Sequence, residues 1–191
     1  MYKFAATFRA DFQRYYFYSS GHPLLRMLRC WCAPGLQAIA VMRFGQWSRK
    51  RILPLRLVCD PLYLVLQALV KIVWGIEVPR GTQIGRGFYI GHFGGINISS
   101  TAVLGKNCNI SQGITIGVSG YGDKKGVPII GDNVYIAPGA RLFGKISIGH
   151  NAKIGANTVI HDDIPDNAVV VLDPGYRILS FKGNINPNQV E

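Results

Sequence analysis

Residues 129–164 read IIGDNV YIAPGA RLFGKI SIGHNA KIGANT VIHDDI, which is a run of six hexapeptides. The second position of each hexapeptide is aliphatic, at Ile130, Ile136, Leu142, Ile148, Ile154 and Ile160. The sixth position is apolar or small, at Val134, Ala140, Ile146, Ala152, Thr158 and Ile164. A helix would need apolar spacings of three and four, and a simple strand would need strict alternation. The period of six therefore predicts a solenoid of short parallel strands whose aliphatic side chains point inward.

The same period continues upstream, first at Val78, Ile84, Ile90 and Ile96, then, after a slip of two residues, at Ile98, Leu104, Ile110 and Ile116. The slip predicts a deformed coil. The gap that follows contains residues 118–128, VSGYGDKKGVP, which are polar and rich in glycine. Insertions in repeat proteins gather on the functional face, so this segment predicts a protruding functional loop, with a tolerated surface loop as the alternative.

Composition bounds the remaining possibilities. The chain has 191 residues, 48% hydrophobic and 16% charged, which fits one folded domain with a small appendage and excludes a disordered chain. The four cysteines show neither a C-x-x-C pair nor zinc spacing, so we expect reduced cysteines in a cytoplasmic protein. Residues 1–80 contain twelve basic residues against three acidic ones. No nucleic-acid recognition motif accompanies this charge, so we expect no nucleic-acid partner.

The basic N-terminal region, residues 1–73, is aromatic and is predicted to be helical. Two interpretations remain open: a cap over the first coil, or a cap that also contacts an anionic membrane surface. The stretch Leu57–Trp74 comes nearest to a membrane span, but Asp60, Pro61, Gln67 and Lys71 interrupt it, so we do not expect a full span. The predicted domains are therefore residues 1–73, a β-helix over residues 74–172, and a tail over residues 173–191.

Two segments resemble the hexapeptide-repeat acyltransferases, most closely the serine O-acetyltransferase branch. They are residues 84–120, IGRGFYIGHFGGINISSTAVLGKNCNISQGITIGVSG, and residues 127–165, VPIIGDNVYIAPGARLFGKISIGHNAKIGANTVIHDDIP. The resemblance implies a mainly β fold, a left-handed parallel β-helix with three hexapeptides per coil, assembled as a homotrimer. It also implies acetyl-CoA as co-substrate, bound in a groove between neighbouring chains, and no metal.

The resemblance also points to a catalytic base. The family carries a D-H-A-T-G segment with a catalytic histidine and an aspartate fifteen residues earlier; here Gly91-His92-Phe93-Gly94-Gly95 and Glu77 stand at those places. A hydroxyl acceptor needs a base, and a carboxylate on the other ring nitrogen would orient the imidazole. Gly91, Gly94 and Gly95 would let the substrates approach the backbone. A second candidate, His150, lacks both the glycine pair and the acid, and we interpret His22 and His161 as structural or solvent-facing.

Contacts to CoA follow from the same resemblance. Small residues would let CoA approach backbone amides, and basic residues suit its phosphates. The expected positions are Gly117, Ala137, Gly139, Lys153, Gly155, Ala156 and Arg177.

The expected acceptor rests on two departures from the serine acetyltransferase pattern. The aspartate before the family's histidine is Gly91 here, and its arginine-histidine pair after the loop aligns with Gly126-Val127, with only Lys124 and Lys125 nearby. We therefore expect transfer of acetyl to a sugar hydroxyl of a lipid-linked glycan in exopolysaccharide or capsule biosynthesis, as in the colanic-acid type enzymes, at the inner face of the membrane. The alternatives are serine O-acetylation, for cysteine biosynthesis, and a non-catalytic β-helix scaffold.

Overall fold

The computed structural model describes residues 4–122 and 125–173. In this part of the chain four helices come first: α1 (Phe4–Tyr18), α2 (Pro23–Cys32), α3 (Pro34–Ser48) and α4 (Leu53–Trp74). A proline at the first or second position opens α2, α3 and α4, and Gly75 in the left-handed conformation ends α4.

Fourteen short strands follow within the described residues, and each pairs in parallel with the strand one coil away, giving three flat faces. Face A contains β1 (Ile76–Glu77), β4 (Ile96–Ile98), β7 (Thr115–Gly117), β10 (Arg141–Phe143) and β13 (Val159–Ile160). Face B contains β2 (Gln83–Ile84), β5 (Val103–Leu104), β8 (Ile129–Ile130) and β11 (Ser147–Ile148). Face C contains β3 (Tyr89–Ile90), β6 (Asn109–Ile110), β9 (Tyr135–Ile136), β12 (Lys153–Ile154) and β14 (Val169–Val170). The prediction of a left-handed β-helix with an N-terminal helical region is confirmed.

The aliphatic residue of each hexapeptide points into the prism, because successive side chains of a strand point to opposite sides. On face A the register stacks Ile98 on Ile116, Ile116 on Leu142, and Leu142 on Ile160, and all four are buried. Stacking of successive coils therefore buries a continuous core that no single coil could bury.

The corner between faces C and A that contains His92 is enlarged. Ile90 pairs with Ile110 and Ile98 pairs with Ile116, so this corner spans eight positions where the next coil uses six. The extra two residues are the slip seen in the sequence, and they lie in the segment Gly91–Gly95. A second enlargement lies between faces A and B: Ile116 and Ile130 are fourteen positions apart, where Ile98 and Leu104 above them are six apart.

The helices cover the first coil through a buried ion pair. Arg43 on α3 is 3.0 Å from Asp11 on α1, and it also donates to the carbonyl oxygens of Ile84 and Gly85 at 2.8 and 2.7 Å. Asp11 accepts the amide N–H of Phe88 at 2.8 Å. Burial raises the pKa of Asp11, and Arg43 opposes that rise. The pair thus satisfies backbone groups that the end of a solenoid would otherwise leave unpaired.

Residues of the helices and of the β-helix share one hydrophobic core, in which Leu36 and Met42 pack in the same cluster as Ile76 and Phe88. The sequence-based division at residues 73 and 74 stays a prediction, and most of the predicted tail lies outside the described residues.

Candidate active site

The edge between faces C and A, on which His92 lies, is lined with glycine. Gly75, Gly95, Gly113 and Gly139 occupy equivalent corners of successive coils, each with φ between +61° and +75°, and Asn157 follows with φ +58°. A Cβ atom on Gly95 would stand 3.3 Å from the Cα of Gly113, and one on Gly113 would stand 3.5 Å from the Cα of Gly139. We call this row the glycine edge. Its backbone is not covered by side chains until Asn157, whose amide fills the space beside Gly139.

His92 is exposed on the enlarged corner at the start of this edge. The next residue, Phe93, packs edge-on against Trp74 with ring centroids 5.4 Å apart, and the Trp74 indole donates to the Gln37 side chain at 3.0 Å. These contacts fasten the corner to the end of α4. Within residues 4–122 and 125–173, the His92 side chain makes no hydrogen bond or ion pair, so both ring nitrogens are open to a substrate or to a partner side chain.

The backbone after His92 offers two free donors. Gly94 accepts the amide N–H of Gly113 at 2.8 Å, which ties the corner to the next coil. The amide N–H groups of Gly94 and Gly95 themselves donate to no carbonyl oxygen of the described residues. Open space surrounds the missing side chain of Gly94. Amide groups of this kind, close to a base, can hold the oxyanion that forms during acyl transfer.

Glu77 has a different partner from the one expected. Its carboxylate is 2.8 Å from Nζ of Lys71, near the C-terminal end of α4, and both side chains are partly exposed. Glu77 lies on β1 and pairs with Asn97 of β4 in the next coil. The orientation of His92 by Glu77 therefore stays a prediction, and it would require the carboxylate to release or share Lys71.

His150 has a structural role on another edge. At the corner between faces B and C, residues Asn107, Asn133, Asn151 and Asn167 all have φ between +56° and +61°. Each of the first three donates its side-chain amide to the next, at 3.0–3.2 Å. We call this row the asparagine edge. Here Nδ1 of His150 accepts the amide N–H of Asp132 at 2.9 Å, and its own amide donates to Asp166 at 2.6 Å.

The residues expected to bind substrates divide between two edges of one chain. Gly91, Gly94 and Gly95 lie with His92, and Gly139, Gly155 and Ala156 lie further along the glycine edge, next to the buried Ala137. Lys125 is exposed at the base of the loop, at the opposite end of face A, where Gly117 ends β7. Lys153 points outward from face C. Lys124 and Arg177 lie outside the described residues.

Two of the expected contact residues have packing reasons of their own to be small. A Cβ on Gly117 would stand 3.0 Å from the Phe143 ring, and one on Gly155 would stand 2.7 Å from the Val170 carbonyl oxygen. Their lack of a side chain is therefore explained without a ligand.

Neither Gly113 of the glycine edge nor the residue before it was among the predicted site residues. Gln112 precedes Gly113, and its side-chain oxygen is buried without a hydrogen-bond partner. At the same corner of the two following coils the corresponding residues are Pro138 and Ala156, so a glutamine there was the available signal. Within the described residues, no group of three His, Cys, Asp or Glu side chains could hold a metal ion.

Comparison with known proteins decides the family. Residues 128–162 match the bacterial transferase hexapeptide family, which is defined by six repeats. The serine acetyltransferase of Synechococcus elongatus is 34% identical over 183 residues, which are 96% of this chain and 70% of that protein. This chain belongs to the serine acetyltransferase family. The enzyme of Staphylococcus xylosus is 41% identical over 114 residues, 60% of this chain and 53% of that protein.

Solved structures of the family agree. Serine acetyltransferase isoform 3 of Entamoeba histolytica, in complex with cysteine, has a TM-score of 0.71 at 27% identity. The match covers 93% of this chain and 61% of the Entamoeba chain. The Brucella abortus enzyme, in complex with coenzyme A, has a TM-score of 0.73 at 26% identity. The match covers 89% of this chain and 65% of the Brucella chain. The chain thus spans between about half and 70% of the length of these relatives.

These matches confirm, for the family, the predicted acyltransferase with acetyl-CoA as co-substrate. The predicted closeness to exopolysaccharide and colanic-acid enzymes, with a sugar hydroxyl or lipid-linked glycan as acceptor, is wrong, because the relatives are serine acetyltransferases. The error came from weighing two positions against the whole chain. At one of these positions the glycine has a packing reason: a Cβ on Gly126 would stand 2.7 Å from the Cβ of Lys145, so any side chain there would require the backbone to shift.

Proposed function

We propose that this chain transfers the acetyl group of acetyl-CoA to the hydroxyl of serine. The observation that carries the proposal is the 34% identity to a serine acetyltransferase over 96% of the chain, which includes the helices as well as the β-helix. The free histidine at the enlarged corner and the uncovered backbone of the glycine edge support it, since this chemistry needs a base and room for an extended co-substrate.

His92 acts as the general base. It removes the serine hydroxyl proton while the oxygen attacks the thioester carbonyl, and a C–O bond forms as the carbonyl oxygen takes the negative charge. The amide N–H groups of Gly94 and Gly95 stabilise that charge. When the intermediate collapses, the C–S bond breaks and the His92 imidazolium returns its proton to the leaving CoA sulfur. Such a base contributes on the order of 10²–10⁴ in rate.

We further propose a homotrimer. His92 and the glycine edge lie at one end of face A, and Lys125 with the loop lies at the other, so one chain does not bring these groups together. A neighbouring chain that packs its loop against the glycine edge would complete the site. Exposed apolar side chains on the outer faces, such as Ile129, Tyr135 and Val159, favour such packing. Light scattering at assay concentration measures this, and a fully active monomer would contradict it.

The acceptor is tested with purified protein, acetyl-CoA and either serine or a panel of sugars. We expect O-acetylserine, with one CoA thiol released for each acetyl group transferred, and only background release with sugars. The His92→Ala variant measures the background rate of CoA thiol release. Serine turnover no greater than that background, with transfer to any sugar above it, would refute the proposal.

A further inference from the structure

The surface of α4 that faces away from the protein is apolar over much of its circumference. The exposed apolar side chains of this surface, which we call the apolar face of α4, are Leu53, Leu57, Val58, Leu62, Leu64, Val65, Leu69, Ile72 and Val73. At ~100° per residue they cover about 200° of the helix. The helix is long and apolar enough to cross a membrane by length and composition, yet only 17% of its most apolar window is buried. A core helix of a soluble protein would be mostly buried.

The remaining sides of α4 hold it in the folded body. Cys59, Tyr63 and Val70 form its buried stripe, and the Tyr63 hydroxyl accepts the amide N–H of Arg80 at 3.0 Å. Asp60 is 2.6 Å from a guanidinium nitrogen of Arg80. These contacts join α4 to the chain that follows β1, so the helix cannot leave the body to span a bilayer without breaking them. It can lie along a surface.

The charges around this face have one sign. Arg49, Lys50 and Arg51 are exposed immediately before α4. Within residues 4–80, each acidic side chain is already paired: Asp11 with Arg43, Asp60 with Arg56 and Arg80, and Glu77 with Lys71. The helical region therefore offers exposed cations and exposed apolar side chains, but no free carboxylate.

A second group of exposed apolar side chains lies on α2. The exposed residues Leu24, Leu25, Met27, Leu28 and Trp31 belong to α2. The ends of α2 and α4 meet at Gln37, whose side chain donates to the Trp31 carbonyl oxygen at 2.9 Å and accepts from the Trp74 indole at 3.0 Å. One side chain therefore links the C-terminal ends of the two helices that carry exposed apolar residues.

We propose that the apolar face of α4 docks in the plane of an anionic lipid surface, with Arg49, Lys50 and Arg51 at the headgroups. Helices of this kind bury an apolar side at the boundary between headgroups and acyl chains, and anionic lipids attract flanking cations. A single partner helix covers a coiled-coil seam of less than about 100°, which would leave roughly half of this face exposed. A second copy would also bring no exposed carboxylate of these helices to the cations. The observations therefore favour lipid over self-association.

The experiment measures cosedimentation of the full chain with vesicles of phosphatidylcholine that contain phosphatidylglycerol, and with vesicles of phosphatidylcholine alone. We expect binding to the anionic vesicles that weakens several-fold as salt is raised from low to about 0.5 M. Leu62→Gln/Leu69→Gln should lower binding at least about tenfold, and Arg49→Gln/Lys50→Gln should remove most of the salt dependence. Both pairs are exposed, so folding should be unaffected, and circular dichroism checks this.

The matched control is Val169→Gln/Val171→Gln, which removes two exposed apolar side chains at the far end of the β-helix and should leave binding unchanged. Failure of the wild type to sediment with anionic vesicles would overturn the proposal. An equal loss of vesicle binding in Leu62→Gln/Leu69→Gln and in the valine control would also overturn it. An assembly larger than a trimer that Leu62→Gln/Leu69→Gln splits, without vesicle binding, would assign the face to a second copy instead. None of these measurements depends on acetyl transfer, so their outcome does not test the proposed function.

Discussion

The asparagine edge and the glycine edge place residues in the same left-handed conformation at equivalent corners of the coils, but they fill those corners differently. On the asparagine edge, Asn107, Asn133, Asn151 and Asn167 bond to one another through their side chains. On the glycine edge, the corresponding corners have no side chain until Asn157. Asparagine and glycine both accept a positive φ, so backbone geometry alone does not explain the choice.

The difference is explained by what each edge is for. A side-chain ladder stabilises the solenoid, since each added hydrogen bond contributes roughly 1 kcal/mol. Glycine gives up that stabilisation and also costs more backbone entropy on folding. A chain that uses asparagine on one edge and glycine on the other therefore leaves the second edge open for a reason other than stability. The enlarged corner with His92 stands at the head of the open edge, which links the space to the chemistry.

The largest expected effect is the difference between substitutions at His92 and at His150, two exposed histidines that each follow an Ile-Gly pair. His92→Ala should lower kcat for acetyl transfer at least about 10²-fold, because the base is lost. His150→Ala should change kcat less than about twofold. It should lower the free energy of unfolding by about 1 kcal/mol, because the Asp132 amide loses its acceptor. Steady-state kinetics and urea unfolding of the two variants measure both effects.

CoA affinity should stay within about twofold in both variants, which shows that the fold and the groove survive. A His92→Ala enzyme with near wild-type kcat beside an inactive His150→Ala enzyme would reverse the roles of the two edges.

An intermediate effect is expected from placing an asparagine on the open edge. Gly113→Asn keeps a residue that tolerates φ +71°, and its Cβ would meet the Gly139 backbone at 3.5 Å, an ordinary contact. The fold should persist, while the new side chain covers the backbone that CoA is expected to approach. We expect Kd for CoA to rise about tenfold, equivalent to ~1.4 kcal/mol, by calorimetry.

The matched change on the other edge is Asn133→Gly. It removes two ladder hydrogen bonds, with Asn107 and Asn151, and should lower the unfolding free energy by about 1–2 kcal/mol with Kd for CoA unchanged. Should Asn133→Gly weaken CoA binding as much as Gly113→Asn does, the asparagine edge would belong to the binding groove and the comparison would fail.

The sequence predicted the fold because a period of six has few structural explanations. The inward aliphatics, the loop after Ile116 and the slip between Ile96 and Ile98 all have direct counterparts in the structure. The slip proved to be the enlarged corner that carries His92. The asparagine ladder was missed, although Asn133 and Asn151 occupy the same place in their hexapeptides. The packing of the helices depends on long-range pairs such as Asp11 with Arg43, which no local pattern predicts.

The site was predicted less completely, and the acceptor was predicted wrongly. Side-chain identity at Gly91 and Gly126 was taken as evidence of lost contacts, but a contact can move to another residue, whereas similarity over the whole chain reports the family. The partner of Glu77 could not be foreseen either, because Lys71 reaches it from the end of a helix whose packing was unknown.

The smallest expected effect tests whether Gly91 still bears on serine binding. Its φ lies outside the left-handed region, and a Cβ there would have the Tyr89 ring as its nearest neighbour at 3.4 Å, followed by the Ile110 carbonyl oxygen at 3.7 Å. Aspartate therefore fits. Placed before His92 on the open edge, its carboxylate would supply a partner for the serine ammonium group. We expect Gly91→Asp to lower KM for serine about three- to tenfold, with kcat within about twofold, because the added interaction stabilises bound serine and the transition state equally.

Gly91→Asn is the control, since it has the same shape without the charge, and we expect less than half of the improvement from it. Steady-state kinetics at varied serine and saturating acetyl-CoA separate KM from kcat. A lower KM in the aspartate variant alone would mean that the ammonium group lacks a charged partner in the wild type. An unchanged KM in both variants would mean that the ammonium group is already paired, and Glu77, the one carboxylate on the described strands of face A, is the first partner to examine. Glu77→Gln would then raise KM, because it removes the charge and also frees Lys71, whose own charge would repel the ammonium group.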